Sequence, residues 1–141
     1  MRGTEIFGPF VGMMVLTFAV WLVMYVRRLI FINANNVDVQ QLTTPDKAAQ
    51  IIPEEISYPA QNLRNLFELP VVFYALCLYL FVTGKVDSVY VVAAWTFLGS
   101  RVIHSMIHCS SNVVILRFLA YMAGALVLWF MVLRAVVEFF S

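Results

Sequence analysis

The reading of this chain turns on Ile6–Arg28, IFGPFVGMMVLTFAVWLVMYVRR. From Ile6 to Val26 it carries no charge for about 21 residues, and it then closes on Arg27-Arg28. A helix rises about 1.5 Å per residue and a bilayer core is about 30 Å thick, so about 20 apolar residues make one crossing. The run is too long for the apolar region of a signal peptide, and its arginines follow it. It is therefore expected to be a retained first span and not a cleaved leader.

Composition extends this reading to the whole chain. Of 141 residues, 62% are hydrophobic and 12% charged, and the mean hydropathy is +0.88. A soluble domain carries roughly 45–50% apolar and about 25% charged residues. The apolar fraction holds four spans and little else, which excludes a soluble globular enzyme, a disordered chain and a disulfide scaffold. A net charge of +1 argues against a nucleic-acid partner, which requires a clustered basic face. Cys77 and Cys109 lie inside apolar runs, match no CxxC or disulfide pattern, and read as reduced packing residues.

Charges mark the remaining boundaries. Asn33 to Gln61 is the one polar stretch, with Pro45, Pro53 and Pro59 and most of the acids. Within it, Thr44-Pro45-Asp46-Lys47 has the form of an N-cap followed by a proline at the first helical position, predicting a short surface helix. Pro59 is placed to open the second span in the same way. The uncharged part of that span, Leu69–Gly84, is about 16 residues, or about 24 Å of helix. To cross, it must extend backwards and draw Arg64, Asn65 and Glu68 into or against the membrane.

Gly84-Lys85-Val86-Asp87 and Ser110-Ser111-Asn112 read as tight turns. The expectation is an all-α membrane protein, a four-transmembrane-helix up-down-up-down bundle forming one domain over residues 1–141. The spans are approximately 6–32, 59–83, 88–109 and 113–139, with a polar loop at approximately 33–58. Arg27, Arg28, Lys47, Arg64 and Arg117 collect on one side, against Arg2, Lys85 and Arg134 on the other. The bias places the loop in the cytoplasm and both termini outside. Gly8-x-x-x-Gly12 and Ala120-x-x-x-Gly124 permit close helix approach, expected mainly as internal packing.

Polar residues inside the spans carry the functional signal. In an alternating bundle, Arg64, Asn65 and Glu68, then Arg101, His104 and His108, then Arg117, all fall at one end. Arg101, His104 and His108 share a helix face at i, i+3 and i+7. Such residues are costly in a membrane and mark function by default. Two readings stand: an anionic ligand on the arginines, whose forked donors suit carboxylates and phosphates, or a structural network in which Glu68 pairs with Arg64 or Arg101. A metal or haem on His104 and His108 is the weaker idea, because neighbouring arginines repel a cation and Cys109 points away around the helix. No phosphate loop, GxSxG elbow or HExxH zinc motif is present.

Two motifs give these residues a family. Arg64-Asn65-Leu66-Phe67-Glu68 is similar to the Asn-x-x-Glu that opens the second helix of the MAPEG family, the membrane-associated proteins of eicosanoid and glutathione metabolism. Arg101-Val102-Ile103-His104 resembles the family's Arg-x-x-His/Tyr on the third helix. Arg117 falls where the prostaglandin synthase branch has its catalytic arginine. The resemblance covers the whole chain and implies a divergent bacterial-type member, placed in the bacterial inner membrane and assembled as a homotrimer.

It further implies glutathione as co-substrate in a cleft between subunits, conjugated to a hydrophobic small molecule that enters from the membrane lipids. By that resemblance, Arg64, Asn65, Glu68, Arg101, His104 and His108 hold the tripeptide. Arg28, with Arg27 as the alternative, reaches in from the adjacent subunit, and Arg117 stabilises the thiolate. A cation beside a thiol lowers its pKa, and the thiolate is the nucleophile. The chain departs from the family pattern at Ser57, Tyr58 and Gln61, where acidic and basic residues are usual. It departs again at His108, in place of a tyrosine, and at Phe118, in place of a serine.

Overall fold

The computed structural model describes residues 3–141, and it is helical throughout. Helix α1 spans Phe7–Ala34, α2 Pro45–Ile51, α3 Glu54–Asn65, α4 Leu69–Val82, α5 Ser88–Cys109 and α6 Val114–Phe140. Single 3-10 turns lie at Thr4–Ile6 and Val39–Leu42. Arg2, counted above in the charge asymmetry, lies outside the described residues.

The short surface helix forms as its sequence predicts. Thr44 caps α2, its hydroxyl accepting from the Lys47 amide at 3.3 Å, with Pro45 in the first turn. The polar loop is shorter than 33–58, because α1 continues to Ala34 and α3 already begins at Glu54. Pro59 does not open the second span. It sits inside α3, and Pro53 takes the N-terminal position instead.

The second span is also interrupted. Between α3 and α4, Leu66, Phe67 and Glu68 leave the helix, with Glu68 at φ −95°, ψ −104°. The cause is local. Pro70 has no amide hydrogen, so the Leu66 carbonyl loses the donor that a continuous helix would supply from four residues on. Phe67 and Glu68 turn back instead onto the Arg64 and Asn65 carbonyls, at 2.9 Å and 3.4 Å.

Contacts fix the relative directions. The start of α1 meets the end of α4 through Phe7 and Phe81, ring centroids 4.7 Å apart. Phe10 and Tyr74 follow at 4.9 Å, so these helices run antiparallel. Helices α5 and α6 pack along most of their length and are antiparallel as well, since Asp87 meets Arg134 at one end and His104 meets the Arg117 carbonyl at the other. The core between them holds Phe73 and Phe97, stacked at 4.7 Å, with Tyr90, Leu128 and Met131. Gly8 and Gly12 face Trp95 and Leu98, and Gly124 faces Ser100, so both small-residue motifs are used inside the chain, against α5.

Three stretches are long and apolar enough to cross a membrane: Thr4–Ala34, Glu54–Val82 and Val114–Phe140. Helix α5 has the length, at 22 residues, but its second half carries Arg101, His104 and His108.

Candidate functional site

The interior of the bundle is polar at one level. Arg101, on α5, is fully buried at 0% exposure, and His104 and His108, on the same face, are each 2% exposed. A buried guanidinium loses several kcal/mol of hydration unless partners replace the water. Arg101 Nη2 donates to the Asn65 carbonyl at 3.3 Å, and its guanidinium lies over the Tyr121 ring, 5.3 Å from the centroid. The helix break makes the first of these contacts available. Asn65 ends α3, and its carbonyl, which takes only the long 3.4 Å bond from the Glu68 amide, has a second lone pair open to a donor from outside the helix. Asn65 thus serves the site through its backbone.

The remaining polar atoms are not satisfied. Arg101 Nε and Nη1, His104 Nε2 and both ring nitrogens of His108 are buried with no hydrogen-bond partner among the described residues. His104 Nδ1 donates to the Arg117 carbonyl at 3.0 Å; a carbonyl only accepts, so the proton is on Nδ1. The two imidazoles meet edge to face, centroids 5.4 Å apart. Arg117 itself is half-buried, and its Nη1 donates to the Asn112 side chain in the α5–α6 turn. Asn112 has φ +49°, a left-handed conformation that asparagine tolerates.

Below the histidines, Ser105 donates to Asn62 Oδ1 at 3.4 Å, and Asn62 Nδ2 donates to Cys109 Sγ at 3.5 Å. Asn62, Ser105 and Tyr121 were not singled out in the sequence. Ser105 could have been found, because it lies one turn beyond Arg101 on the same face of α5. Asn62 could not, since nothing distinguishes it from the polar residues of the neighbouring loop.

Arg28 and Arg64 occupy a separate place. Both line a cavity of about 600 Å³ between α1, α3 and the loop, and an adjoining one of about 250 Å³ that also includes Ser57 and Gln61. Arg64 and Glu68 are exposed. No ion pair joins Glu68 to Arg64 or Arg101 among the described residues; the salt bridges lie at the opposite end of the molecule. There Arg134 holds Asp87 through two contacts, at 3.0 Å and 2.5 Å, and Glu138 at 2.8 Å. Among the described residues no three His, Cys, Asp or Glu side chains come together as a metal site.

The MAPEG family model matches residues 6–137, nearly the whole chain. The chain belongs to the MAPEG family. With its three long apolar helical stretches, it is an integral membrane protein of a family with glutathione-related and eicosanoid functions. No curated protein and no solved structure matches it.

Proposed function

We propose that this MAPEG protein is a membrane-bound glutathione-dependent transferase or peroxidase-like enzyme. The observation that carries the reading is the separation of charge. Arg28, Arg64, Arg101 and Arg117 cluster toward one end with no carboxylate ion pair among the described residues, while the salt bridges of Arg134 to Asp87 and Glu138 lie at the other end. Guanidiniums without counter-ions, from the buried Arg101 to the exposed Arg64, favour a bound anion, and glutathione carries two carboxylates.

In this reading the protein is a homotrimer with α5 as its fourth crossing, the loop cytoplasmic and both termini outside, in a bacterial inner membrane. Arg64, Asn65, Glu68, Arg101, His104 and His108 hold the tripeptide, and Glu68 supplies the acid that its amine requires. Arg28 enters from the neighbouring copy, and Arg117 stabilises the thiolate. The thiol proton passes to water, and the thiolate attacks an electrophilic carbon of a hydrophobic substrate taken from the bilayer, forming the C–S bond as the bond to a halide leaving group breaks and the halide ion departs into water. Purified protein should show thermal stabilisation by millimolar glutathione and conjugation of a model electrophile. Arg117→Ala should lose conjugation by at least about tenfold, the equivalent of about 1.4 kcal/mol of transition-state stabilisation. No stabilisation by glutathione, together with an unaffected Arg117→Ala variant, would remove the proposal.

A second reading is favoured by the engagement of Arg117 with Asn112, which leaves the guanidinium less free to meet a thiol. It is a non-enzymatic binder or transporter of a small anion or lipid head group, using the same basic residues. It predicts ligand stabilisation with no conjugation, and, for a transporter, occupancy from either side of the membrane.

A further inference from the structure

Two cavities meet at the helix break. One, of about 470 Å³, lies between Phe10, Met14, Phe18 and Trp21 of α1 and Leu66 and Tyr74 across from them. The other is the cavity of about 600 Å³ that holds Arg28 and Arg64, with the hydroxyls of Thr43 and Thr44 on its loop side. Leu63 and Phe67 line both. Phe67 belongs to the interrupted segment and is 64% exposed, so the break places an aromatic side chain at the junction of an apolar and a basic compartment. Irregular backbone at membrane depth is tolerated where it is buried or lines a cavity.

The order of these compartments along α1 matches the depth profile of a lipid leaflet. Phe10, Met14, Trp21 and Arg28 recur at helical spacing on one stripe. The stripe is apolar through the uncharged run and basic only past its end, about 27 Å further along the helix. A soluble anion would use the basic end alone. A zwitterionic lipid brings its own cation to two arginines that have no ion pair among the described residues, with Asp46 the acid on the adjoining small cavity.

We propose that this continuous groove holds one anionic phospholipid, its phosphate between Arg28 and Arg64 and one acyl chain lying along α1 toward Phe10. Basic pockets between helices at the membrane surface recognise lipid head groups in this way. The site does not rest on the glutathione reading, but both call on Arg28 and Arg64, so the test is run without glutathione.

Full-length protein is placed in nanodiscs of phosphatidylcholine with increasing phosphatidylglycerol, and unfolding is followed by temperature. The wild type should gain about 4 °C with phosphatidylglycerol. Arg28→Gln/Arg64→Gln should stay flat, and Lys47→Gln, the same kind of charge loss on the nearby α2, should keep the gain. Thr17 lies on the α1 wall of the apolar compartment, and Thr17→Trp, which fills that compartment and leaves both arginines, should lose it. An equal gain in the double variant, or no preference for phosphatidylglycerol, overturns the site. So does an equal gain from inorganic phosphate alone in phosphatidylcholine, which would make it an anion cavity without a lipid chain. Should the variants not fold, native mass spectrometry of wild type from an equal lipid mixture decides. Enrichment of phosphatidylglycerol supports the proposal, and parity ends it.

Discussion

At the scale of single residues, Arg101 separates a structural from a ligand-binding interior. Its two partners, the Asn65 carbonyl and the Tyr121 ring, leave Nε and Nη1 without acceptors among the described residues. A cation kept for packing alone would be poorly designed, because an apolar side chain of similar length avoids the desolvation cost. Arg101→Met is therefore expected to stabilise the empty protein, by up to about 4 kcal/mol if the gain matches that found when buried ion pairs are replaced by apolar groups. The same variant should abolish stabilisation by glutathione. Chemical or thermal unfolding in detergent, with and without glutathione, checks both halves. Destabilisation of the empty protein would show instead that Arg101 exists to tie α3 to α5. The sequence made Arg101, His104 and His108 legible because three polar residues on one helical face stand out against an apolar background. It did not reveal that Asn65 acts through its carbonyl, since backbone availability depends on where a helix stops.

At the scale of elements, the break between α3 and α4 organises the site, and its origin can be read from one residue. Pro70 removes the amide that Leu66 requires, and the segment Leu66–Glu68 leaves the Asn65 carbonyl open to Arg101 beside its long bond from the Glu68 amide and presents Phe67. The span length was legible, because an uncharged run too short to cross demands an extension. The interruption was not taken from the sequence, because a proline near a helix start is equally at home there. Pro70→Ala should let the helix close across Leu66–Glu68. Hydrogen exchange at residues 66–69 is then expected to slow, and the glutathione response should weaken as Asn65 returns its carbonyl to the helix. Unchanged exchange would place the cause of the break elsewhere.

The α4–α5 turn gives a second test at this scale. Arg134, which hydrogen-bonds the Asp87 carboxylate, holds its pKa below the ordinary carboxylate value, aided by the Tyr90 amide. A depressed folded pKa means that the contribution is present above the unfolded value of about 3.9 and is lost as pH falls through the folded one. The melting-temperature advantage of wild type over Asp87→Asn should thus be constant above about pH 5 and shrink below about pH 4. An advantage that persists at pH 3 would show that the carboxylate charge is not what fastens this turn to α6.

At the scale of the whole molecule, the chain presents its basic residues in two groups that it does not unite. Arg101, His104 and His108 lie within the bundle, and Arg117 borders them, whereas Arg28 and Arg64 lie in the cavity on the loop side. A site that uses both groups is completed most simply by symmetry, with one copy supplying Arg28 to its neighbour. The exposed faces of α1 and α6, rich in Val, Phe, Trp and Leu, serve lipid and a second copy equally well, so apolarity alone does not decide the assembly. Subunit mixing does. Arg28→Gln and Arg117→Ala should each lose conjugation when expressed alone. Co-expressed and randomly assembled in a ring, each cleft has about a one-in-four chance of combining intact Arg28 from one copy with intact Arg117 from the next, so about a quarter of wild-type turnover should return. Sites built within one chain would never regain both arginines, and the mixed sample would then remain as inactive as its parents.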